Sequence, residues 1–207
     1  AWDELNDDPD KPMLNRAISQ TYPPGSTFKV VVTAAALESG VTPDTQLTAA
    51  PNITLPDTAT TLENYGGAAC GGAPTVTLRE AFARSCNTAF VEMGIATGRE
   101  ALVDQAEALG IDENMEVPLP VAPSTIGPIP DGAALGQTSI GQRDVALTPL
   151  ENASIAATIA NGGVRMEPYL VERLQGPDLA VLEETTPESL GPSIAPEVAA
   201  TLTDLMV

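Results

Sequence analysis

No histidine occurs in the 207 residues of this chain, and that absence excludes more than any residue present. A Ser-His-Asp or Cys-His hydrolase and a histidine-ligated zinc site both need an imidazole, so neither can be assembled here. A nucleophilic serine would need another base, and lysine is the natural substitute. Lysine is itself scarce, with only Lys11 and Lys29. Two cysteines, Cys70 and Cys86, are too few for a four-thiolate site, so neither metal nor cofactor is expected. They are either one disulfide, in an exported protein, or two free thiols, and the sequence leaves both open. No apolar window approaches the length of a spanning helix, and Ala1-Trp2-Asp3 does not open a signal peptide, so any anchor is expected outside the chain. Positive charge is short as well. Nine Lys and Arg against 28 Asp and Glu give a net charge of -19, which repels nucleic acid and anionic membranes and favours solubility.

The chain is organised around Tyr22-Pro23-Pro24-Gly25-Ser26-Thr27-Phe28-Lys29 and the apolar residues after it. From Thr27 to Leu37 nearly every position is apolar, the pattern of a helix buried all round, with Gly40 where such a helix would end. Lys29 is the one charge in that run. Helical spacing puts Ser26 and Lys29 on one face, a hydroxyl against an amine. Burial favours the neutral amine, which can take a proton from serine, and the positive end of the helix lies beside the oxygen. The plainer alternative is a serine that only caps the helix and a lysine that snorkels to water.

Read in order, residues 1 to 11 form an acidic surface approach, and Tyr22-Pro23-Pro24-Gly25 is a turn before the helix. Thr42 to Leu62 reads as extended loop with one or two short strands, followed by glycine-rich loop through Gly72. Thr77 and Glu80 make a capping box for a short helix that breaks at Ser85-Cys86-Asn87. Helices are expected from about Thr88 to Ala96 and from Arg99 to Leu109, ending at Gly110. Val117 to Leu135, crowded with proline, is expected to be irregular. Thr148-Pro149-Leu150-Glu151 starts a helix to Ala160, stopped by Asn161-Gly162-Gly163. Tyr169 to Leu174 alternates as a strand would and pairs with Leu179 to Leu182 across Gly176-Pro177-Asp178. Pro196 to Met206 is an amphipathic helix.

Ser85-Cys86-Asn87 sits at a break between helices, where polar side chains face a cleft. A second hydroxyl near Lys29 can relay a proton, and Asn87 can bond a substrate amide. Taken alone, Ser-x-Asn is ordinary turn chemistry. Three ordered runs change its weight: Tyr22 to Lys29, Ser85-Cys86-Asn87, and Ile140-Gly141-Gln142 through Thr148-Pro149-Leu150-Glu151 to Ile159-Ala160-Asn161-Gly162-Gly163. With these flanks the chain resembles the penicillin-binding transpeptidases, with the flavour of actinobacterial class B enzymes. The resemblance implies that Ser26 attacks the carbonyl of a D-alanyl-D-alanine stem peptide and is acylated by β-lactams. It makes Lys29 the base, Ser85 the proton relay, Asn87 a partner for the substrate amide or for Lys29, and the Ser26 N–H half of an oxyanion hole. Ser26, Ser85 and Asn87 then also contact substrate.

One departure is large. The family's third motif, Lys-Thr/Ser-Gly on a sheet strand, is missing, because no lysine follows Lys29. The expectation is therefore an interior piece, residues 1–207, of one transpeptidase domain. It would be an α+β domain of which this chain is the helix-rich portion, with most of the antiparallel sheet outside it. Its partners would be stem peptides, β-lactams, the remainder of the same domain and a cell-wall synthesis complex, on the extracytoplasmic face of the bacterial membrane. The alternatives are a D,D-carboxypeptidase or serine β-lactamase, and a non-catalytic β-lactam sensor or scaffold. A scaffold needs none of Ser26, Lys29, Ser85 and Asn87; a sensor would keep them.

Overall fold

The computed structural model describes residues 2–115 and 117–207. At its centre lies helix α3 (Lys29–Glu38), which follows α1 (Trp2–Asn6) and α2 (Arg16–Ser19). Val31 to Ala36 are all buried, and Lys29 is buried with them, so the helix is enclosed as its composition requires. The regular α-helix begins only at Lys29. Ser26 belongs instead to a 3-10 turn, Gly25–Phe28, that runs straight into α3, with the Lys29 N–H shared between the Ser26 and Thr27 carbonyls. In a 3-10 turn residues three apart eclipse, so Ser26 still precedes Lys29 on the same side.

Around α3 pack α5 (Asn87–Thr97), α6 (Arg99–Ala108) and α9 (Pro196–Leu205). Helix α4 (Leu78–Arg84) is capped by the Thr77 hydroxyl, which accepts from the Glu80 N–H at 3.1 Å. Helix α8 (Pro149–Ala160) starts the same way, with Thr148 accepting from the Glu151 N–H at 3.0 Å. Each cap satisfies a donor that a helix start leaves unpaired, which is why those two boundaries are sharp.

The proline-rich region is less irregular than expected. Its last residues open helix α7 (Gly132–Thr138), capped by Asp131, whose carboxylate accepts from the Ala134 N–H at 2.8 Å. Proline blocks a helix only where it removes an interior N–H, and the last of this run, Pro130, lies outside the cap.

The strands are short and lie in separate antiparallel pairs among the described residues. β1 (Gln46–Thr48) pairs with β4 (Thr75–Thr77), β2 (Asn52–Thr54) with β3 (Thr61–Glu63), β5 (Val164–Met166) with β8 (Ser189–Pro192), and β6 (Arg173–Gln175) with β7 (Val181–Glu184). Thr42 to Leu62 holds β1, β2 and the start of β3, more than the one or two strands expected. The hairpin across Gly176-Pro177-Asp178 is present but begins later than the apolar alternation suggested. Leu179, at φ 66°, belongs to the turn, and pairing runs from Gln175↔Val181 outward. Neither β4 nor β5 nor β8 is visible in the sequence. Segments of three or four residues carry too little periodicity, and their partners are remote in the chain.

Candidate active site

Three segments far apart in sequence meet at the start of α3. Tyr22 and Leu147 exchange backbone hydrogen bonds at 2.8 and 2.9 Å, and the Gly25 N–H donates to the Gly141 carbonyl at 3.0 Å. The run Ile140 to Leu147 thus braces the turn that carries Ser26. Gly141 sits at φ +68°, and a Cβ there would lie 2.0 Å from the Gly25 carbonyl oxygen. No other residue fits so close to that turn.

From the other side comes the break between α4 and α5. Ser85 ends α4 in the left-handed region, φ 56°, which turns both its carbonyl and its hydroxyl toward Lys29. Asn87 opens α5. Its Nδ2 donates to the Glu63 carbonyl at 2.9 Å, which orients the amide so that Oδ1 points the opposite way. The Lys29 amine donates to the Ser85 carbonyl at 2.7 Å, to Asn87 Oδ1 at 2.8 Å and to Ser85 Oγ at 3.0 Å. It also lies 5.2 Å from the centre of the Phe90 ring.

Lys29 is only 3% exposed. Among the described residues no carboxylate comes within ion-pair distance of it. Desolvation without a counter-charge lowers its pKa from 10.5 to about 8. Three neutral acceptors suit the three donors of an ammonium. In the amine form one contact must reverse, and only the Ser85 hydroxyl can both donate and accept. The geometry therefore gives proton exchange between Nζ and Ser85 Oγ a direct path.

Ser26 is brought near but is not joined to Lys29. Its hydroxyl makes no hydrogen bond among the described residues. Both Ser26 and Ser85 are exposed, and both border a cavity of about 460 Å³ that also touches Lys29, Phe82 and Met206. The direct hydroxyl–amine contact expected from helical spacing is replaced by a lysine drawn toward Ser85 and Asn87. The Ser26 N–H, ahead of the first turn, has no acceptor among the described residues and points its dipole out of the helix start.

Two supports of the site were not singled out from the sequence. The Glu63 carbonyl carries no side-chain signal at all. Phe90 carried one, since it lies one turn after Asn87 on the same face of α5.

Cys70 and Cys86 are joined in a disulfide, with Cα atoms 5.9 Å apart. Cys86 lies between Ser85 and Asn87, so the bond ties the break to the glycine-rich loop. A loop closed over a sequence separation of 16 is worth about 3 kcal/mol in chain-entropy terms. The double variant Cys70→Ser, Cys86→Ser is expected to lose stability on that order in urea unfolding. An unchanged midpoint would show that the bond restrains nothing.

A family model described as the penicillin binding protein transpeptidase domain matches residues 3–207. Over its full length the chain is 64% identical to the peptidoglycan D,D-transpeptidase PbpA of Mycolicibacterium smegmatis and 62% identical to that of Mycobacterium tuberculosis, covering 42% of each. It thus spans less than half the length of these curated relatives. The penicillin G acyl-enzyme complex of penicillin-binding protein A from M. tuberculosis superposes over 100% of this chain and 48% of that one, with 62% identity and a TM-score of 0.96. The D,D-transpeptidase domain of a peptidoglycan glycosyltransferase from Eggerthella lenta superposes over 99% of this chain and 52% of that one, with 28% identity and a TM-score of 0.86. Mixed helix and antiparallel strand and a match over nearly every residue lead to one conclusion: this chain belongs to the penicillin-binding protein transpeptidase family.

Proposed function

We propose that this chain is the nucleophile-bearing part of a peptidoglycan D,D-transpeptidase. The single observation that carries the reading is the Lys29 amine, buried, lacking a carboxylate among the described residues, and bonded to both Ser85 and Asn87 at the rim of the Ser26 cavity. Ser26 Oγ attacks the carbonyl of the penultimate D-alanine, its proton passes to Lys29 Nζ, and the Ser26 N–H donates to the developing oxyanion as one of two donors. The proton then travels through Ser85 Oγ to the departing nitrogen. The C–N bond breaks, the terminal D-alanine leaves, and an ester remains on Ser26. The amine of a second stem peptide attacks that ester and restores the serine. A β-lactam follows the same first step, but its leaving nitrogen stays tethered in the opened ring. Acyl-enzymes with penicillin G and imipenem are among the solved structures of the M. tuberculosis relative.

Residues 1–207 are in this reading the interior of one transpeptidase domain. The second oxyanion donor and the group that recognises the substrate carboxylate belong to the Lys-Thr/Ser-Gly strand, and the sequence holds no lysine after Lys29. A disulfide between Cys70 and Cys86 and relatives that work on the cell wall both suit an extracytoplasmic location. Among the described residues no helix is long and apolar enough to cross a membrane.

The test uses fluorescent penicillin. The isolated 207 residues are expected to remain unlabelled, and the whole protein to be labelled at Ser26 and not in its Ser26→Ala form. Labelling of the isolated chain would mean that these residues already hold a complete site. Persistent labelling of the Ser26→Ala protein would remove the nucleophile from the proposal. Slow hydrolysis of the trapped ester is expected, and rapid turnover of the drug would instead mark a β-lactamase.

A further inference from the structure

A second polar site lies away from Ser26, under the α8 start. Glu151, the last residue of Thr148-Pro149-Leu150-Glu151, is only 3% exposed. Its Oε1 has no hydrogen-bond partner among the described residues. A buried carboxylate without a donor is costly, so such a group in a folded protein calls for a physical explanation. The nearest cation does not supply one. Arg165 is engaged in an ion pair with Glu113, and its guanidinium lies over Gly110, where a Cβ would approach it at 2.8 Å and Glu151 Oε1 at 3.1 Å.

Glu151 lines a cavity of about 480 Å³ that shares no residue with the one at Ser26. The wall divides by chemistry. Glu113, Glu167 and Glu188 add negative charge, against Arg165 alone, while Met115 and Leu190 offer apolar surface. A space of that size is within the range of small-molecule sites and far larger than one bare ion needs. No group of three or more carboxylates among the described residues converges tightly enough to hold a metal.

We propose that this cavity binds a primary ammonium group on a short apolar stem, with Glu151 as the counter-ion at its floor. The ammonium supplies the donors that Glu151 lacks and partly offsets the surrounding carboxylates, and the stem lies against Met115 and Leu190. Burial pushes the Glu151 carboxyl up to about 7, with Arg165 opposing the shift and Glu113 adding to it. A bound cation favours the ionised form, so affinity rises with pH through that range. The group can arrive as a free alkylamine or as a lysine-type side chain of a peptide.

Titration of the whole protein with n-pentylamine and with Nα-acetyl-lysine methylamide, followed by calorimetry at pH 6 and pH 8, tests this. Binding is expected to be tighter at pH 8 and about tenfold weaker for Glu151→Gln, one charge-assisted bond's worth. Neutral 1-pentanol should bind no better than that variant does. The two amines separate the sources: a peptide side chain requires the lysine derivative to bind, a free amine requires pentylamine to bind alone. A second variant, Leu190→Lys, sits at a half-exposed position and places a like charge at the mouth, so it should also weaken binding. No heat at millimolar amine, equal binding of pentanol, or unchanged affinity in Glu151→Gln overturns the proposal. Penicillin labelling of Ser26 reads the other cavity, so the two outcomes remain separable.

Discussion

Replacing Lys29 by methionine in the whole protein is expected to lower the rate of β-lactam acylation by roughly a thousandfold, within the range for removing a general base. Methionine keeps the length and apolar stem of lysine, so packing against Phe90 persists. The electrostatic change does not work against folding. A lysine with its pKa lowered from 10.5 to about 8 is bound to its proton in both folded and unfolded states below pH 8. Between about 8 and 10.5 only the unfolded chain holds the proton, so this group's contribution to stability rises with pH across that window and is least favourable at neutral pH. Methionine removes that neutral-pH penalty, though it leaves the Ser85 carbonyl and Asn87 Oδ1 without a donor, which costs in the other direction. Thermal unfolding should therefore move far less than acylation does. The same pKa predicts the pH profile of the unaltered protein: acylation climbs from pH 6 and levels above about 8, as the neutral amine becomes the main form. In Lys29→Met the slope should vanish. Acylation that survives with its slope intact would place the base elsewhere.

Gly141→Ala is expected to cripple both folding and labelling, although Gly141 carries no side chain and touches no substrate. Two effects add. The left-handed backbone at φ +68° costs a non-glycine residue about 1–2 kcal/mol, and the new methyl would lie 2.0 Å from the Gly25 carbonyl oxygen. Relieving that overlap pushes the Ser26 turn off its brace at another 1–3 kcal/mol. Gly162 is the internal control. It has nearly the same backbone, φ +67°, but open space where the methyl would go. Gly162→Ala should show the backbone cost alone in urea unfolding and leave acylation unaltered. If the two variants behave alike, Gly141 does not hold the nucleophile turn.

How legible these features were depended on how local their causes are. Thr77 with Glu80 and Thr148 with Glu151 wrote two helix starts into four residues each, because a cap is satisfied within one turn. The helix from Asp131 was hidden by neighbouring prolines, and β4, β5 and β8 by their brevity. At the candidate site residue type and spacing singled out Ser26 and Lys29 and a helix-rich domain, whereas the weight given to Ser85 and Asn87 and the α+β character came from the resemblance to the transpeptidase family. It left the cysteines open between disulfide and thiols.

By itself, then, the sequence determined the available chemistry: without histidine, a serine nucleophile had two lysines to draw on, and only Lys29 lies in an apolar run. Tertiary structure alone decided which oxygen that amine meets. Lys29 turned from Ser26, three residues away, to Ser85 and Asn87, 56 and 58 residues along the chain. Spacing along one helix sets which side chains can share a face, but a buried amine goes where acceptors replace the water it has lost, and here a left-handed turn and a carbonyl from β3 put those acceptors in place.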